Sequence, residues 1–330
     1  MFMTKSDRGD RQLAAALFLA LLWCTLPNAV AADYPDHIIK AVVPFTPGGG
    51  TDLYARVIAT YLSKSLGQNV VVDNKGGAAG NIGMDFVAKS KPDGYTILFN
   101  GSAATTNPAL FKTLPFDPIR DLQPIAAISE SPFVIVINPT KVPAKTLKEF
   151  VDLIGKNPGK FNAAGGGVGT QLPVEVFKVQ NNLDVVVIVY KGAGDAVTAL
   201  VSGEADFMIV SAPPLMPYFA SGRLRPLAVA GEKRMADLPE VPTTREAGMP
   251  DFVMGSAFGA FAPAGTPIEI VRKLNAAINA ITVVPEVIER FRALGATTVQ
   301  KTPEQFAEGY RREIARLKEV VARAKIATVD

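Results

Sequence analysis

The sequence predicts an α/β protein in which open, mostly parallel sheets are flanked by helices. Short apolar segments alternate with amphipathic helical segments along the 330 residues, and that alternation is typical of parallel sheets. Glycine-rich loops stand at four of the strand-to-helix junctions. Two long apolar stretches, near 125–137 and 254–263, predict strands that pass between two lobes.

The N-terminal segment 1–31 predicts a secretory signal peptide. Basic residues precede an apolar run at 13–26, and Ala29 and Ala31 then provide small residues at the spacing that signal peptidase requires. The run is too short for an ordinary membrane-spanning helix. We therefore expect cleavage near Ala31 and a mature protein in the periplasm. Cys24, the only cysteine, would leave with the signal peptide.

The segment that follows predicts strands separated by helices. The apolar run 38–45 is the first strand, and a helix extends from about Thr51 to Leu66 with Gly67 as its C-cap. The remaining elements of this part are strands at 69–74 and 95–102, a helix at 84–90 and the long apolar stretch at 124–138.

The second part of the chain repeats the alternation. Thr146 and Glu149 form a capping box that predicts the start of a helix over 145–156. The next predicted elements are strands entering the loops at 165–170 and 191–194, a helix at 196–203 and strands at 205–211 and 224–231. Pro267 and Pro303, each preceded by threonine, predict the first positions of two final helices.

The composition disfavours several kinds of chemistry. The net charge of +3 is too small to indicate nucleic-acid binding. His37 is the only histidine and the mature chain would lack cysteine, which argues against zinc sites of the usual type and against histidine-dependent nucleophiles. Carboxylate-only catalysis stays open because 31 Asp and Glu residues are present, although none forms a catalytic spacing. We expect a protein that is not an enzyme and that needs no cofactor or metal.

Four glycine-rich loops are the candidate binding elements, at 48–50, 76–80, 165–170 and 191–194. Each follows a strand, at the edge of a parallel sheet where ligands bind. The following helix offers unpaired N–H groups, and glycine lets an anion approach them closely. No loop carries a nucleotide-binding motif. Two interpretations stay open: the loops hold a small molecule with separated carboxylates, or the glycines only form tight turns.

Motifs spread over the whole mature chain resemble one protein family. In order they include PFTPGGGTD, GAAGNIG, NGSAATTNPALF, NPGKFNAAGGGVGT, VYKGAGDAVTALVSGEADFMI and FAPAGTPIEIVRKLNAAI. Together they resemble the Bug family, the substrate-binding receptors of tripartite tricarboxylate transporters. The resemblance implies a type II periplasmic binding protein, or Venus flytrap, with a ligand cleft between two lobes. We place lobe one at 32–128 and 256–330, and lobe two at 129–255.

The resemblance also implies a function. The ligand would be a small carboxylate: a di- or tricarboxylate, an acidic amino acid or an aromatic acid. The partners would be two membrane subunits of a tripartite transporter, and we expect the receptor itself to be a monomer. Two alternatives stay open: a periplasmic sensor subunit that serves a two-component system through the same cleft, and, less favoured, an α/β enzyme.

The family's ligand-binding positions carry over to the matching motifs of this chain. Phe45 would cover the ligand, Ser102 would offer a hydroxyl group, and Asp206 would contact ligand or orient backbone. The expected set is Phe45, Thr46, Gly48, Gly49, Ala78, Ala79, Gly80, Asn100, Ser102, Gly167, Gly169, Thr170, Tyr190, Lys191 and Asp206. The chain lacks the histidine that usually follows the second-lobe loop, and Ala257 replaces an aromatic residue. Ligand identity therefore stays open.

Overall fold

The computed structural model describes residues 34–165, 168–190, 193–323, 325, 326 and 328. The predicted signal peptide lies outside these residues. The chain divides into two compact units, Met1–Asp36 and His37–Asp330. In the first unit the described residues are 34–36, with a cis peptide bond between Tyr34 and Pro35. Every helix and strand given below belongs to the second unit.

The strands follow the predicted order. They are β1 Ile39–Val43, β2 Val70–Asn74, β3 Thr96–Asn100, β4 Leu122–Ile137, β5 Asn162–Gly165, β6 Val186–Val189, β7 Phe207–Ser211, β8 Arg225–Val229, β9 Gly255–Pro263 and β10 Thr297–Thr298. Their order across the sheet is β2-β1-β3-β9-β4-β7-β5-β6, with β8 and β10 also paired to β4. Strands β2, β1 and β3 are parallel, and so are β6, β5 and β7. The antiparallel pairs of the described residues all involve β4 or β9.

Strand β4 joins the two sets of parallel strands. Its first part, up to Pro132, pairs with β9, and from Phe133 onward it pairs with β7. The predicted apolar stretch at 124–138 is therefore one strand of 16 residues. Two register shifts, near Pro124 and Ala127, interrupt its pairing with β9, and such irregularities bend and twist a strand.

The helices cover the strands and position the loops. They are α1 Gly50–Leu66, α2 Asn81–Ala88, α3 Ala103–Leu110, α4 Leu147–Gly155, α5 Val168–Asn181, α6 Ala193–Ser202, α7 Met216–Ala220, α8 Ile268–Ile281, α9 Pro285–Ala293 and α10 Pro303–Arg323. The predicted C-cap Gly67 is confirmed by its left-handed φ of 69°. The Thr146 cap is also confirmed, since its side chain accepts a hydrogen bond from Glu149 N. Helix α8 begins one residue later than predicted, with Pro267 as its N-cap.

Helix α10 connects two of the apolar clusters that the described residues form. One, beside β1 and β3, includes Val42, Leu98, Phe261 and Tyr310. The other, beside β5 and β7, is built around four phenylalanines: Phe150, Phe177, Phe207 and Phe252. Helix α10 contributes to both, with Tyr310 and Ile314 in the first cluster and Leu317 and Val321 in the second. None of the helices in the described ranges combines the length and apolar character that a membrane span requires.

Candidate ligand-binding site

The candidate site lies at the carboxyl ends of β1, β2 and β3. The loops that follow these strands come close together. A Cβ atom added at Gly76 would lie 3.5 Å from Thr46 N, and one added at Gly80 would lie 3.2 Å from the Phe45 ring. Phe45 is half-buried and Thr46 is exposed. The structure therefore brings the predicted first and second loops together, with the Phe45 ring beneath the second.

A polar network holds the first loop from behind. Asp52, in the first turn of α1, is only 1% exposed. Its Oδ2 accepts hydrogen bonds from Gly48 N and Arg56 Nε, both at 2.9 Å, and its Oδ1 accepts one from Asn74 Nδ2 at 2.9 Å. Asn74 Nδ2 also donates to Phe45 O at 3.0 Å. Asp52 thus acts structurally, since it accepts hydrogen bonds from three internal donors.

The Asp52 network decides which N–H groups of the loop stay available. The Gly48 N–H is committed to Asp52, so Gly48 shapes the loop through its φ of +86° rather than as a free donor. Gly49 and Gly50 are exposed, and an added Cβ would meet nothing closer than Thr46 O at 3.7 Å from Gly49. The first N–H groups of an α-helix have no intrahelical partner. Open space therefore faces the N-terminus of α1.

Burial and hydrogen bonding act in opposite directions on the Asp52 carboxyl. Burial alone raises its pKa, but hydrogen bonds from Arg56, Gly48 and Asn74, together with the charge of Arg56, bring that pKa below its ordinary value. The carboxylate is therefore ionised at neutral pH. One negative charge lies directly behind a loop that is expected to receive an anion.

The second loop is strained. Four consecutive residues, 77–80, have positive φ, and two of them are alanines: Ala78 at 47° and Ala79 at 54°. Left-handed φ costs a non-glycine residue roughly 1–2 kcal/mol, and such strain gathers at functional sites. Asn107, which is buried, donates from Nδ2 to Ala79 O at 2.9 Å and to Asn81 Oδ1 at 2.8 Å. Buried Asn107 thereby holds the exposed alanines in place.

The end of β3 carries an unpartnered buried donor. Asn100 is fully buried, and its Oδ1 accepts a hydrogen bond from Gly101 N at 2.8 Å, which fixes the orientation of the amide. Within the described residues, its Nδ2 has no hydrogen-bond partner. A buried donor of this kind requires a ligand or water acceptor. A Cβ at Gly101 would lie 3.5 Å from Thr51 Oγ1 and 3.8 Å from Ser256 Oγ, so this point adjoins α1 and β9.

The predicted residues of the second parallel set are described only in part. Gly167 and Lys191 lie outside the described residues. Gly169 and Thr170 fall in the first turn of α5. Tyr190 follows β6, and its N–H donates to Gly165 O at 2.7 Å; burial, and then the charge of Glu204, raise the pKa of its phenol.

Asp206 lies at the other end of the strands. It precedes β7, and its Oδ2 accepts a hydrogen bond from Asn162 N at 2.7 Å, at the start of β5. The loops that follow β5 and β6 stand at the opposite, carboxyl ends. Asp206 therefore orients backbone, and the structure does not bring it to the other predicted residues.

Residues of both parallel sets meet across a narrow space. Ser102, the N-cap of α3, lines it together with Thr105, and Leu172 and Pro173 of α5 line it from the other side. Phe133, at the point where β4 changes partners, also lines it. Ser102 is half-buried and makes no side-chain cap to α3, so its hydroxyl remains available in this space.

Sequence reasoning missed the residues that hold the loops from behind. Arg56 and Asn74 were not expected, although both lie close to a predicted loop or strand end. Asn74 is the last residue of β2, where side chains that line such sites begin, and this position could have indicated it. Among the described residues, no cluster of His, Cys, Asp or Glu could hold a metal ion.

The chain is similar to one family of receptors in both sequence and structure. A family model described as the tripartite tricarboxylate transporter family receptor, TctC, matches residues 54–326. The protein BugT of Bordetella pertussis is 38% identical over 299 residues, which cover 89% of this chain and 91% of BugT. A protein encoded between tcbD and tcbE in Pseudomonas sp. strain P51 is 34% identical over 321 residues, covering 96% of this chain and 95% of that protein.

Solved structures share the fold. Rpa4515 of R. palustris with adipate has a TM-score of 0.77 and 32% identity, covering 90% of this chain and 100% of that one. MatC of Rhodopseudomonas palustris with bound malate has a TM-score of 0.73 and 33% identity, covering 87% and 100%. The periplasmic binding protein BugD has a TM-score of 0.74 and 32% identity, covering 90% of this chain and 100% of that one.

These likenesses confirm the predicted two-lobed α/β fold and the resemblance to the Bug family. The chain belongs to the TctC family of tripartite tricarboxylate transporter receptors, which are periplasmic solute-binding proteins.

Proposed function

We propose that this receptor binds a small carboxylate between its two lobes and delivers it to a tripartite transporter with two membrane subunits. The buried, unpartnered Nδ2 of Asn100 is the observation that carries the proposal. It lies beside Gly101, whose added Cβ would be 3.5 Å from Thr51 Oγ1 in the first turn of α1. A carboxylate oxygen is an acceptor that suits both a side-chain amide and the N–H groups of a helix N-terminus.

Two related structures whose ligands are named support a carboxylate as the ligand of this receptor. Adipate and malate, named with two structures of this fold, are both dicarboxylates. We infer that this chain takes ligands of the same kind, with one carboxylate at the loops of β1, β2 and β3 and the second group toward the loops of the other lobe. Gly167, Gly169, Thr170, Tyr190 and Lys191 remain the proposed residues there.

The proposed lobe boundaries follow the crossing strands. Strand β4 changes partners between Pro132 and Phe133, and β9 begins at Gly255. Both points lie within a few residues of the proposed boundaries at 128/129 and 255/256. Because the export signal and family indicate the periplasm, we propose that the mature receptor acts there after cleavage near Ala31.

Thermal unfolding against a ligand panel tests this function. The panel holds C3 to C6 dicarboxylates, citrate, aspartate, glutamate and aromatic acids, with nucleotides as negative controls. Circular dichroism reports the transition, since cleavage would remove the only tryptophan. A carboxylate at a hundred times its Kd should add about 2.7 kcal/mol to the free energy of unfolding. A ligand-free sample that no carboxylate stabilises would contradict the proposal.

A further inference from the structure

A buried acid lies directly behind the loop that is proposed to receive a carboxylate. Asp52 is 1% exposed, and its Oδ2 lies 2.9 Å from the N atom of Gly48, the first glycine of the PGGGT loop. Like charges repel, and the repulsion is strong where little water separates them. An ionised Asp52 alone would therefore oppose an anion at Gly49 and Gly50, although a carboxylate suits the first turn of a helix.

Arg56 supplies the compensating charge. Its Nε lies 2.9 Å from Asp52 Oδ2, one helical turn along α1, and its Nη2 donates to Asn74 Oδ1 at 3.1 Å. In the described part of the chain, this is the one salt bridge that Asp52 forms. The other partners of Asp52, the Gly48 N–H and the Asn74 amide, carry no net charge. The nearby Lys75 pairs with Asp73 instead, at 3.5 Å.

The pair is asymmetric in its exposure. The Arg56 side chain is 51% exposed, whereas that of Asp52 is 2% exposed. Replacing Arg56 therefore removes a solvent-facing cation and leaves the acid buried in the same place. The fold can tolerate that change, because Gly48 and Asn74 still donate to the carboxylate. The charge behind the loop changes from about zero to minus one.

We propose that Arg56 sets the charge selectivity of the ligand loop without touching the ligand. By cancelling the charge of Asp52, it lets the loop receive a carboxylate. Without Arg56, the loop favours a ligand that carries a cationic group beside its carboxylate. This inference rests on the proposed function and deepens it, because it assigns the discrimination between acids and amino acids to a positioning residue.

Calorimetric titration with matched ligands tests the inference. The pairs differ in one group, hydroxyl or ammonium: malate and aspartate, 2-hydroxyglutarate and glutamate, 3-phenyllactate and phenylalanine. In Arg56→Met, the affinity ratio of the hydroxy acid to the amino acid should fall about tenfold or more relative to the unchanged protein. Arg56→Lys should keep most of the ratio, since it retains the charge. The double variant Asp52→Asn/Arg56→Met should restore it.

A matched control and an independent variant complete the test. Arg323→Met removes an arginine from another i, i+4 pair, with Glu319 at 3.5 Å in the last turns of α10, and should leave the ratio unchanged. If Arg56→Met fails to fold, Asp52→Asn alone tests the same charge, and it should move the ratio toward the hydroxy acid. If Arg56→Met or Asp52→Asn still binds the hydroxy acid, and its affinity ratio of hydroxy acid to amino acid equals that of the unchanged protein, the inference is overturned while the proposed function stands. Binding of no member of any pair would count against the proposed function itself.

Discussion

Gly49→Val tests whether the first loop receives the ligand through bare backbone. The structure indicates that the fold will accept valine there. Gly49 has φ −74° and ψ 164°, which valine adopts readily, and an added Cβ would meet only Thr46 O at 3.7 Å. Gly49 is the N-cap of α1, and its replacement by valine should cost about 1 kcal/mol or less of stability, since no side-chain capping hydrogen bond is lost.

The effect of Gly49→Val on binding should be much larger than its effect on folding. A branched side chain at the mouth of the loop blocks a ligand oxygen from the N–H groups at the start of α1. We expect carboxylate affinity to fall more than about tenfold, or 1.4 kcal/mol. Calorimetric titration gives the affinity, and urea unfolding gives the stability.

A second glycine provides the opposite control. Gly67 caps the far end of α1 with φ 69°, so Gly67→Ala should lose about 1 kcal/mol of stability through left-handed strain while affinity stays unchanged. A ligand site at this loop would be refuted if Gly49→Val left the affinity unchanged. It would also be refuted if Gly67→Ala lost as much affinity as Gly49→Val.

Three further predictions follow from the polar contacts. Asn107→Leu removes the donor to Ala79 O, so it should destabilise the fold by about 1–3 kcal/mol and weaken carboxylate binding. Urea unfolding measures the stability and calorimetric titration measures the affinity; a variant as stable as the unchanged protein would contradict the role of this contact. The pKa of Asp52 is lowered in the folded state, so the ionised carboxylate stabilises the fold at neutral pH, and this stabilisation declines as the pH falls below the ordinary pKa of the group. Unfolding measured from about pH 7 to about pH 2 should therefore show a smaller loss of stability in Asp52→Asn than in the unchanged protein. Identical pH profiles of the two proteins would contradict this prediction. Burial raises the pKa of Tyr54 to about 12, and its hydroxyl donates to Leu294 O at 2.8 Å. Because the phenol ionises at lower pH in the unfolded chain, stability should fall as the pH rises from the ordinary pKa of 10.0 toward 12. Ultraviolet titration of Tyr54→Phe should lack this late-ionising phenol.

Local signals in the sequence predicted the elements that depend on near neighbours. Gly67 and the capping box at Thr146 act within one helical turn, so their geometry follows from the residues themselves. Helix α9, Pro285–Ala293, was not predicted, although Pro285 stands at its start as Pro303 does in α10, because no side-chain cap precedes it as Thr146 precedes α4. The partners of β4 were not predicted, since a strand that changes partners at Pro132 pairs with β9 and then with β7, both of which come later in the chain.

The site shows the same division between local and distant causes. The glycine loops were visible because glycine at strand-to-helix junctions has a direct conformational meaning, as at Gly48 with φ +86°. The role of Asn74 was not visible, because its side chain donates to Asp52 from 22 residues away and to Phe45 O from 29 residues away. Asp206 was included although it precedes its strand, and a parallel strand presents its ligand-binding loop only at the carboxyl end.

The most direct test of a carboxylate site at the ends of β1, β2 and β3 is a nuclear magnetic resonance titration of the ¹⁵N-labelled mature protein. The ligand is the carboxylate that gives the largest thermal shift. We predict that the resonances of the backbone amides of Gly49, Gly50 and Ala79 and of the side-chain amide of Asn100 shift together, with a common Kd. Saturable binding that leaves the Asn100 amide and these glycines unmoved, with shifts gathered elsewhere, would contradict it.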